Sequence, residues 1–251
     1  MGETLDFNRT VMKEAKASDA INAQLDAMLT KKRAGQARRE YVGASGIGGS
    51  CERAIQFEFA GAPREKDFPP ATLRKFDIGH HFEELSRFWF TDAGFKLVQH
   101  NQRTGALYGF SQLDGAFKGH PDGVFIDGPD VLKYPALWEH KAVGAKTFRE
   151  IDKHGLKKAR PTYYAQVAIY QAYLGLTENP AVFTITNTDG GEQLHLSIPF
   201  DAEEAQRASD RAVRIVNATR AGDLLPRPFA SADYFECKFC AFAGRCWGMA
   251  S

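Results

Sequence analysis

The most informative pattern of apolar and polar positions lies between Gly119 and Lys141. Val124-Phe125-Ile126 and Ala136-Leu137-Trp138 are two apolar runs, separated by Asp127-Gly128-Pro129-Asp130, a dense turn signal. The pattern predicts a β-hairpin. Side chains two apart on a strand share a face, so Glu139 and Lys141 point the same way, and natural hairpin register brings Asp122 beside them. Strand-like runs also precede the hairpin, at Phe95–Val98, Gly105–Phe110 and Ala116–Phe125.

Elsewhere the period is helical. Residues 1–40 carry a loose apolar stripe of Val11, Ala15, Ala20, Ile21, Leu25, Met28 and Leu29. Ser50 is expected to cap a helix that starts near Cys51. Between Ala71 and Gly94, Ile78, Phe82, Leu85 and Trp89 form a stripe predicted to face the core. A basic helix is expected over Ala145–Ala159. A second then opens at Pro161, where proline is welcome, and closes at Gly175. Ala181–Asn187 and Glu192–Phe200 flank Asp189-Gly190-Gly191 as a further hairpin. Asp201 with Glu204 caps a helix over Ala202–Ala221, ended by Gly222. After Pro226 and Pro228 the tail shows no helical period.

Composition narrows the class. A chain of 251 residues fits one generous domain, and a formal net charge of +1 carries no global polyanion signature, so nucleic-acid contacts must come from local patches. Two such patches are the stretch Lys31 to Glu40 and the run from Lys146 to Arg160. No eighteen-residue apolar run and no signal-peptide pattern occurs, so the expectation is a soluble cytoplasmic protein with no membrane partner. The four cysteines then read as ligands before disulfides. There is no GxxxxGK[ST] loop, hence no built-in ATPase motor.

The chemistry gathers on the first hairpin. Two carboxylates, Asp122 and Glu139, with the ammonium of Lys141 on one patch make a divalent-cation site. Hard oxygen ligands favour Mg²⁺ or Mn²⁺. A second constellation lies in the tail, where Cys237-x₂-Cys240-x₅-Cys246 holds every cysteine but Cys51. Four thiolates suffice for a zinc ion or a [4Fe–4S] cluster, and the spacing alone does not choose between them.

Pro121-Asp122 followed by Glu139-x-Lys141 resembles the PD-(D/E)XK nuclease superfamily. Gly79-x-x-x-Glu83 before the hairpin and Gln166-x-x-x-Tyr170 after it resemble further elements of the RecB-type branch. With Cys51 ahead of them and the cysteine triplet behind, the order is similar to the iron–sulfur RecB-like nucleases, which include the small CRISPR-associated exonucleases and the AddB nuclease domain. Residues 45–251 carry the resemblance, and residues 1–44 form a helical extension with a basic arm outside it. The resemblance implies an α/β fold with a restriction-endonuclease-like core. A central mixed sheet of about five strands would be flanked by helices, with Cys51, Cys237, Cys240 and Cys246 binding a [4Fe–4S] cluster, or Zn²⁺ as the alternative, to join the two ends.

It further implies a metal-dependent deoxyribonuclease, an exonuclease before an endonuclease. Glu83, Asp122, Glu139 and the His140 backbone carbonyl would hold the metal, with Lys141, Gln166 and Tyr170 acting beside it. Family iron–sulfur members often carry histidine where Glu83 stands, so His80 and His81 are stand-ins. The partners so implied are DNA and a helicase, recombinase or CRISPR-adaptation protein, with an oligomer allowed. The rival from another class is a catalytically silent DNA-binding scaffold that keeps the fold.

Overall fold

A computed structural model describes residues 9–248. The chain divides into two compact units, residues 1–38 with 68–77 and residues 39–67 with 78–251. The first holds helix α1 (Arg9–Ala34). Its Asp26 pairs with Arg74, and Arg33 lies over the Phe68 ring. Leu29 is buried, whereas Ile21, Leu25 and Met28 are exposed. The expected stripe is therefore only partly covered, and Val11 and Ala15 fall outside the residues whose side chains are described.

The second unit is built on a five-stranded sheet. In chain order its strands are β2 (Lys96–Val98), β5 (Gly123–Asp127), β6 (Ala136–Val143), β7 (Ala181–Asn187) and β8 (Gln193–Ile198), and they are neighbours in that same order. The pair β5–β6 is the expected antiparallel hairpin, with Gly123 opposite Trp138. The pair β6–β7 is parallel, from Trp138 opposite Val182 to Val143 opposite Asn187. Parallel neighbours need a long crossover, and helices α4 (Ala145–His154), α5 (Leu156–Ala159) and α6 (Pro161–Leu174) provide it. One basic helix was expected where α4 and α5 stand. Gly155, at φ 73°, adopts a conformation that side chains resist and splits them. Pro161 opens α6 and left-handed Gly175 closes it, as expected.

β4 (Phe117–Gly119) lies within the expected run Ala116–Phe125, but its place in a second, three-stranded sheet with β1 (Val42–Gly43) and β3 (Phe110–Gln112) was not foreseen, and of the run Gly105–Phe110 only Phe110 is in a strand. Strands of two or three residues are too short to show a period. Gly119 of β4 has a packing reason: a Cβ there would come within 2.5 Å of the Tyr170 ring and 2.7 Å of Ala44 Cβ.

The sheet buries both faces. On one side Leu137, Phe183 and Ile185 join Val167, Ile169 and Tyr170 of α6, backed by Ala212, Ile215 and Val216 of helix α7 (Ala202–Ala221). On the other, Trp138, Phe125 and Val182 meet Phe90 of helix α3 (Pro70–Asp92). This corrects the expected face of α3. Ile78, Leu85 and Trp89 are 45%, 41% and 42% exposed, while Ser86 is fully buried and Phe90 packs edge-on to Trp138. The helix has apolar residues around much of its girth, so periodicity could not say which stripe meets the sheet. Asp201 caps α7 by accepting from Glu204 N at 2.9 Å, as expected.

Helix α2 (Glu52–Phe59) begins behind Cys51, which is its cap position without a side-chain cap bond. Ser50 does not cap it and instead bonds Glu236. The tail is also more ordered than its pattern suggests, with short helices α8 (Phe235–Phe239) and α9 (Ala243–Gly248).

Candidate active site

The β5–β6 register, carried one residue past Gly123–Trp138, sets Asp122 across from Glu139. Asp122 Oδ2 accepts from His140 N at 2.7 Å, which continues the pairing through a side chain. Glu139 and Lys141 share a face as expected: Lys141 Nζ donates to Glu139 Oε1 at 2.5 Å and to His140 O at 3.0 Å. Gln166, from the second turn of α6, donates through Nε2 to the same Glu139 oxygen at 2.6 Å, and its Nε2 lies 3.5 Å from the Tyr170 hydroxyl. Five of the sequence-predicted residues thus meet in one patch, brought together by three elements. Tyr163, one turn earlier on α6, lies under the Lys141 ammonium at 5.6 Å. The sequence spaces Tyr163, Gln166, Tyr170 and Tyr173 at i, i+3, i+7 and i+10 along α6, a polar aromatic stripe. Tyr173 leaves it, stacking on Phe110 and bonding Ser209.

Glu83 reaches the cluster from α3, where its charge acts on Glu139 and feels both Asp122 and Lys141. His81 is taken up in an exposed contact with Glu84, and His120 bonds Tyr108 O. The ring of His140 points away from the patch to Thr186 Oγ1, 2.8 Å away. Burial and the Lys141 charge push its pKa down to about 3, so it is neutral.

The patch is rich in negative charge and poor in solvent. Glu139 is 1% exposed. Burial, then the Asp122 carboxylate, pushes its pKa up to about 8. Glu83 rises to about 7 for the same two reasons, and burial raises Asp122 as well. Burial works against the charged form of Lys141, but Glu139 and Asp122 outweigh it and hold the ammonium above its ordinary range. Three carboxyl groups thus gather around the Lys141 ammonium, with the Arg87 charge acting on Glu83 and Asp122 as well. The second Glu139 oxygen, Oε2, is buried with no hydrogen-bond partner, a costly condition for a carboxylate. An orphaned oxygen among carboxylates that resist ionisation together fits a divalent cation, which would supply the missing charge.

The cysteines form a separate place. Cys51, Cys237, Cys240 and Cys246 are free thiols lining one cavity of about 420 Å³. Burial pushes the thiol pKa of Cys51 and of Cys240 up, and ionisation of any of the other three thiols would push Cys51 further. Phe242 N donates to Cys240 Sγ at 3.4 Å and Arg53 Nη1 to Cys246 Sγ at 3.8 Å, donors suited to thiolates. The donor set fits a thiolate-ligated group. Of the aromatic residues that flank these cysteines in the sequence, Phe242 is buried, Trp247 is half-buried under Arg227, and Phe239 is 74% exposed and shields nothing. Among the described residues, no group of three or more His, Cys, Asp or Glu side chains is arranged to hold a metal ion as the side chains stand. In the acidic patch Lys141 and the His140 amide occupy the carboxylates, and the thiols ring a cavity.

A central mixed sheet with helices on both faces, carrying an acid–acid–lysine patch on its paired strands, makes a mixed α/β fold. Among solved structures, that of an alkaline exonuclease from Laribacter hongkongensis (LHK-Exo) is similar, with a TM-score of 0.52 at 16% identity. The likeness covers 74% of this chain and 90% of that one, and the same values hold for the structure of LHK-Exo in complex with dAMP. A structure of SSO0001 aligns over 92% of this chain and 98% of its own at 15% identity, with a TM-score of 0.46. No family model and no curated protein matches the chain. Among the described residues no helix is long and apolar enough to cross a membrane.

Proposed function

We propose that the protein is a metal-dependent deoxyribonuclease acting on DNA ends, with residues 45–251 as its nuclease domain. One observation carries this reading. Asp122, Glu139 and Lys141 stand together on paired strands with a buried Glu139 oxygen left unpartnered. The fold shared with an alkaline exonuclease, which has also been solved with dAMP, supports it.

Asp122 and Glu139 would hold Mg²⁺ or Mn²⁺, with Glu83 and the His140 carbonyl completing the set. The bound metal supplies Lewis acidity and lowers the pKa of a water. The protein's own groups do the rest. Lys141, charged at neutral pH, places an ammonium where phosphate oxygens gain negative charge as the phosphodiester is attacked. Gln166 holds Glu139 in one rotamer, and Tyr170 packs behind Gln166. The basic residues between Lys146 and Arg160 would contact the DNA backbone. Arg160 is partly engaged by Glu150, at 2.9 Å.

The four thiols would bind a [4Fe–4S] cluster, or Zn²⁺ as the alternative, and the role of this group is to tie α2 to the tail. Exonuclease action, and a setting in recombination, phage replication or CRISPR adaptation beside a helicase or recombinase, rest on the resemblance of the motifs.

The test is cleavage of linear end-labelled DNA with Mg²⁺ or Mn²⁺, wild type beside Lys141→Ala, on protein purified without oxygen. Metal-dependent shortening that the variant lacks is the expected result. No cleavage by folded, cluster-loaded wild type would replace this reading with that of a DNA-binding scaffold.

A further inference from the structure

Beside the acidic patch lies a second cleft, of about 370 Å³, whose lining includes Arg87, Leu97, Val98, Gln99, His100 and Gln102. Its position follows from the fold. Arg87 is one turn beyond Glu83 on α3, so the two side chains lie on one helix face. Leu97 and Val98 belong to β2, which pairs with β5 immediately after Asp122. Gln99 joins the cleft to the patch directly, its Nε2 donating to the backbone carbonyl of Asp122 at 3.3 Å. The loop beyond is braced by its own backbone, with Tyr108 N bonded to Gln99 O and Asn101 N to Ala106 O, both at 2.8 Å. The cleft is therefore preformed.

The distribution of charge in it is uneven. Arg87 is half-buried, and its guanidinium has no ion-pair or hydrogen-bond partner among the described residues. Glu83, the obvious i−4 partner, is turned to the acidic patch instead, where Arg87 acts on it and on Asp122 only through space. A planar fork of donors held beside a carboxylate cluster, with no partner of its own, matches an anionic oxygen group that arrives with the substrate. Leu97 and Val98 of edge strand β2 add apolar surface to the lining from the two faces of that strand, and Gln99 and Gln102 add side-chain amides. A volume of this size accommodates a small ligand. Its combination of cation, apolar surface and amides is the chemistry of a nucleotide: phosphate, sugar and base edge.

We propose that this cleft is a nucleotide subsite in which Arg87 takes a phosphate adjoining the one that is cleaved, while the sugar and base lie along the edge of β2 and the segment Gln99–Gln102. The proposal rests on the nuclease reading for its cleavage step, but the binding it asserts does not need cleavage.

The test therefore has two arms, each on the full chain with melting temperatures confirming the fold of every variant. In the first, metal-free wild type, Arg87→Gln and Arg87→Lys are titrated with deoxyadenosine 5′-monophosphate and with deoxyadenosine, and binding is followed by NMR shifts. Monophosphate affinity falls about tenfold or more in Arg87→Gln and recovers in part in Arg87→Lys, while nucleoside affinity is the same in all three. In the second arm, with Mn²⁺ and DNA, Arg87→Gln raises KM about tenfold and leaves kcat within about threefold. Equal monophosphate affinity in wild type and Arg87→Gln overturns the subsite. So does an active wild type whose KM is indifferent to Arg87→Gln. An inactive wild type whose monophosphate binding depends on Arg87 upholds the subsite and removes the nuclease reading alone.

Discussion

The acidic patch and the cysteine cavity both gather residues that are far apart in the chain, yet they are held in different ways. In the patch, every group is pinned by something the fold already needs. Strand register sets Asp122 across from Glu139, the pleat puts Lys141 on the Glu139 face, and the parallel crossover lays Gln166 of α6 over both. The cavity has no such scaffold. Cys51 stands at the head of α2, and the other three cysteines lie in short helices and a turn. What holds the walls is side-chain bonding of α2 to the segment after α7, with Arg53 to Leu225 O, Gln56 Nε2 to Asp223 O at 2.6 Å and Leu225 N to Gln56 Oε1 at 2.9 Å, and to the tail itself through Arg53 Nη1 and Cys246 Sγ. Glu65 adds a further tie by accepting from Gly244 N and Arg245 N. A patch on paired strands is thus organised by the fold itself, whereas a thiol-lined cavity at the junction of two chain segments would, under the proposed function, depend on a bound group for stability. Metal binding that organises a site is folding free energy.

That contrast is open to attack from both sides, and the largest effect is expected at the cavity. Cys240→Ser should cost more than about 4 kcal/mol of stability, as loss of a structural metal group does. It should also bleach the visible absorbance of anaerobically purified protein; urea unfolding with absorbance spectra decides. Unchanged stability would place the cavity among incidental voids. Next in size, Lys141→Ala should lower kcat on end-labelled DNA by roughly 10²–10³-fold with the melting temperature little altered. A variant that unfolds instead would show the patch to be a stability element.

Gln166→Ala is a finer probe of preorganisation. It removes one of the two donors to Glu139 Oε1, and a loss of about 1–3 kcal/mol, read as kcat/KM, is expected. Rescue in Gln166→Asn would argue against a strict geometry. The smallest effect serves as a control away from both regions. Asp201 caps α7 and accepts from Lys157 Nζ at 2.8 Å, and these bonds hold its carboxyl down to about 2. The group binds more protons unfolded than folded across that interval. Its stabilisation is therefore present above pH ~4 and is lost as pH falls through about 2. Asp201→Ala should cost about 1 kcal/mol at neutral pH and flatten that acid-side slope, measured by urea unfolding from pH 2 to 5.

The amino-acid sequence alone determined what local rules and short-range register control. The hairpin carrying Asp122, Glu139 and Lys141, the entry of α6 at Pro161 and its exit at Gly175, and the cap at Asp201 all follow from turn chemistry, from the two-residue pleat and from end signals. Each depends on neighbours within about twenty residues. Tertiary structure decided what depends on a choice between equivalent surfaces. Helix α3 turns Ser86 and Phe90 inward and leaves Ile78, Leu85 and Trp89 at the surface, because packing against Trp138 and Phe125, not helical period, selects among its apolar stripes. The β1-β4-β3 sheet and the tail helices are too short to have a period of their own. Only the folded chain leaves Glu139 Oε2 without a partner, frees Arg87 from Glu83 and lines one cavity with four distant thiols. Those are properties of burial and long-range proximity, which no local pattern encodes.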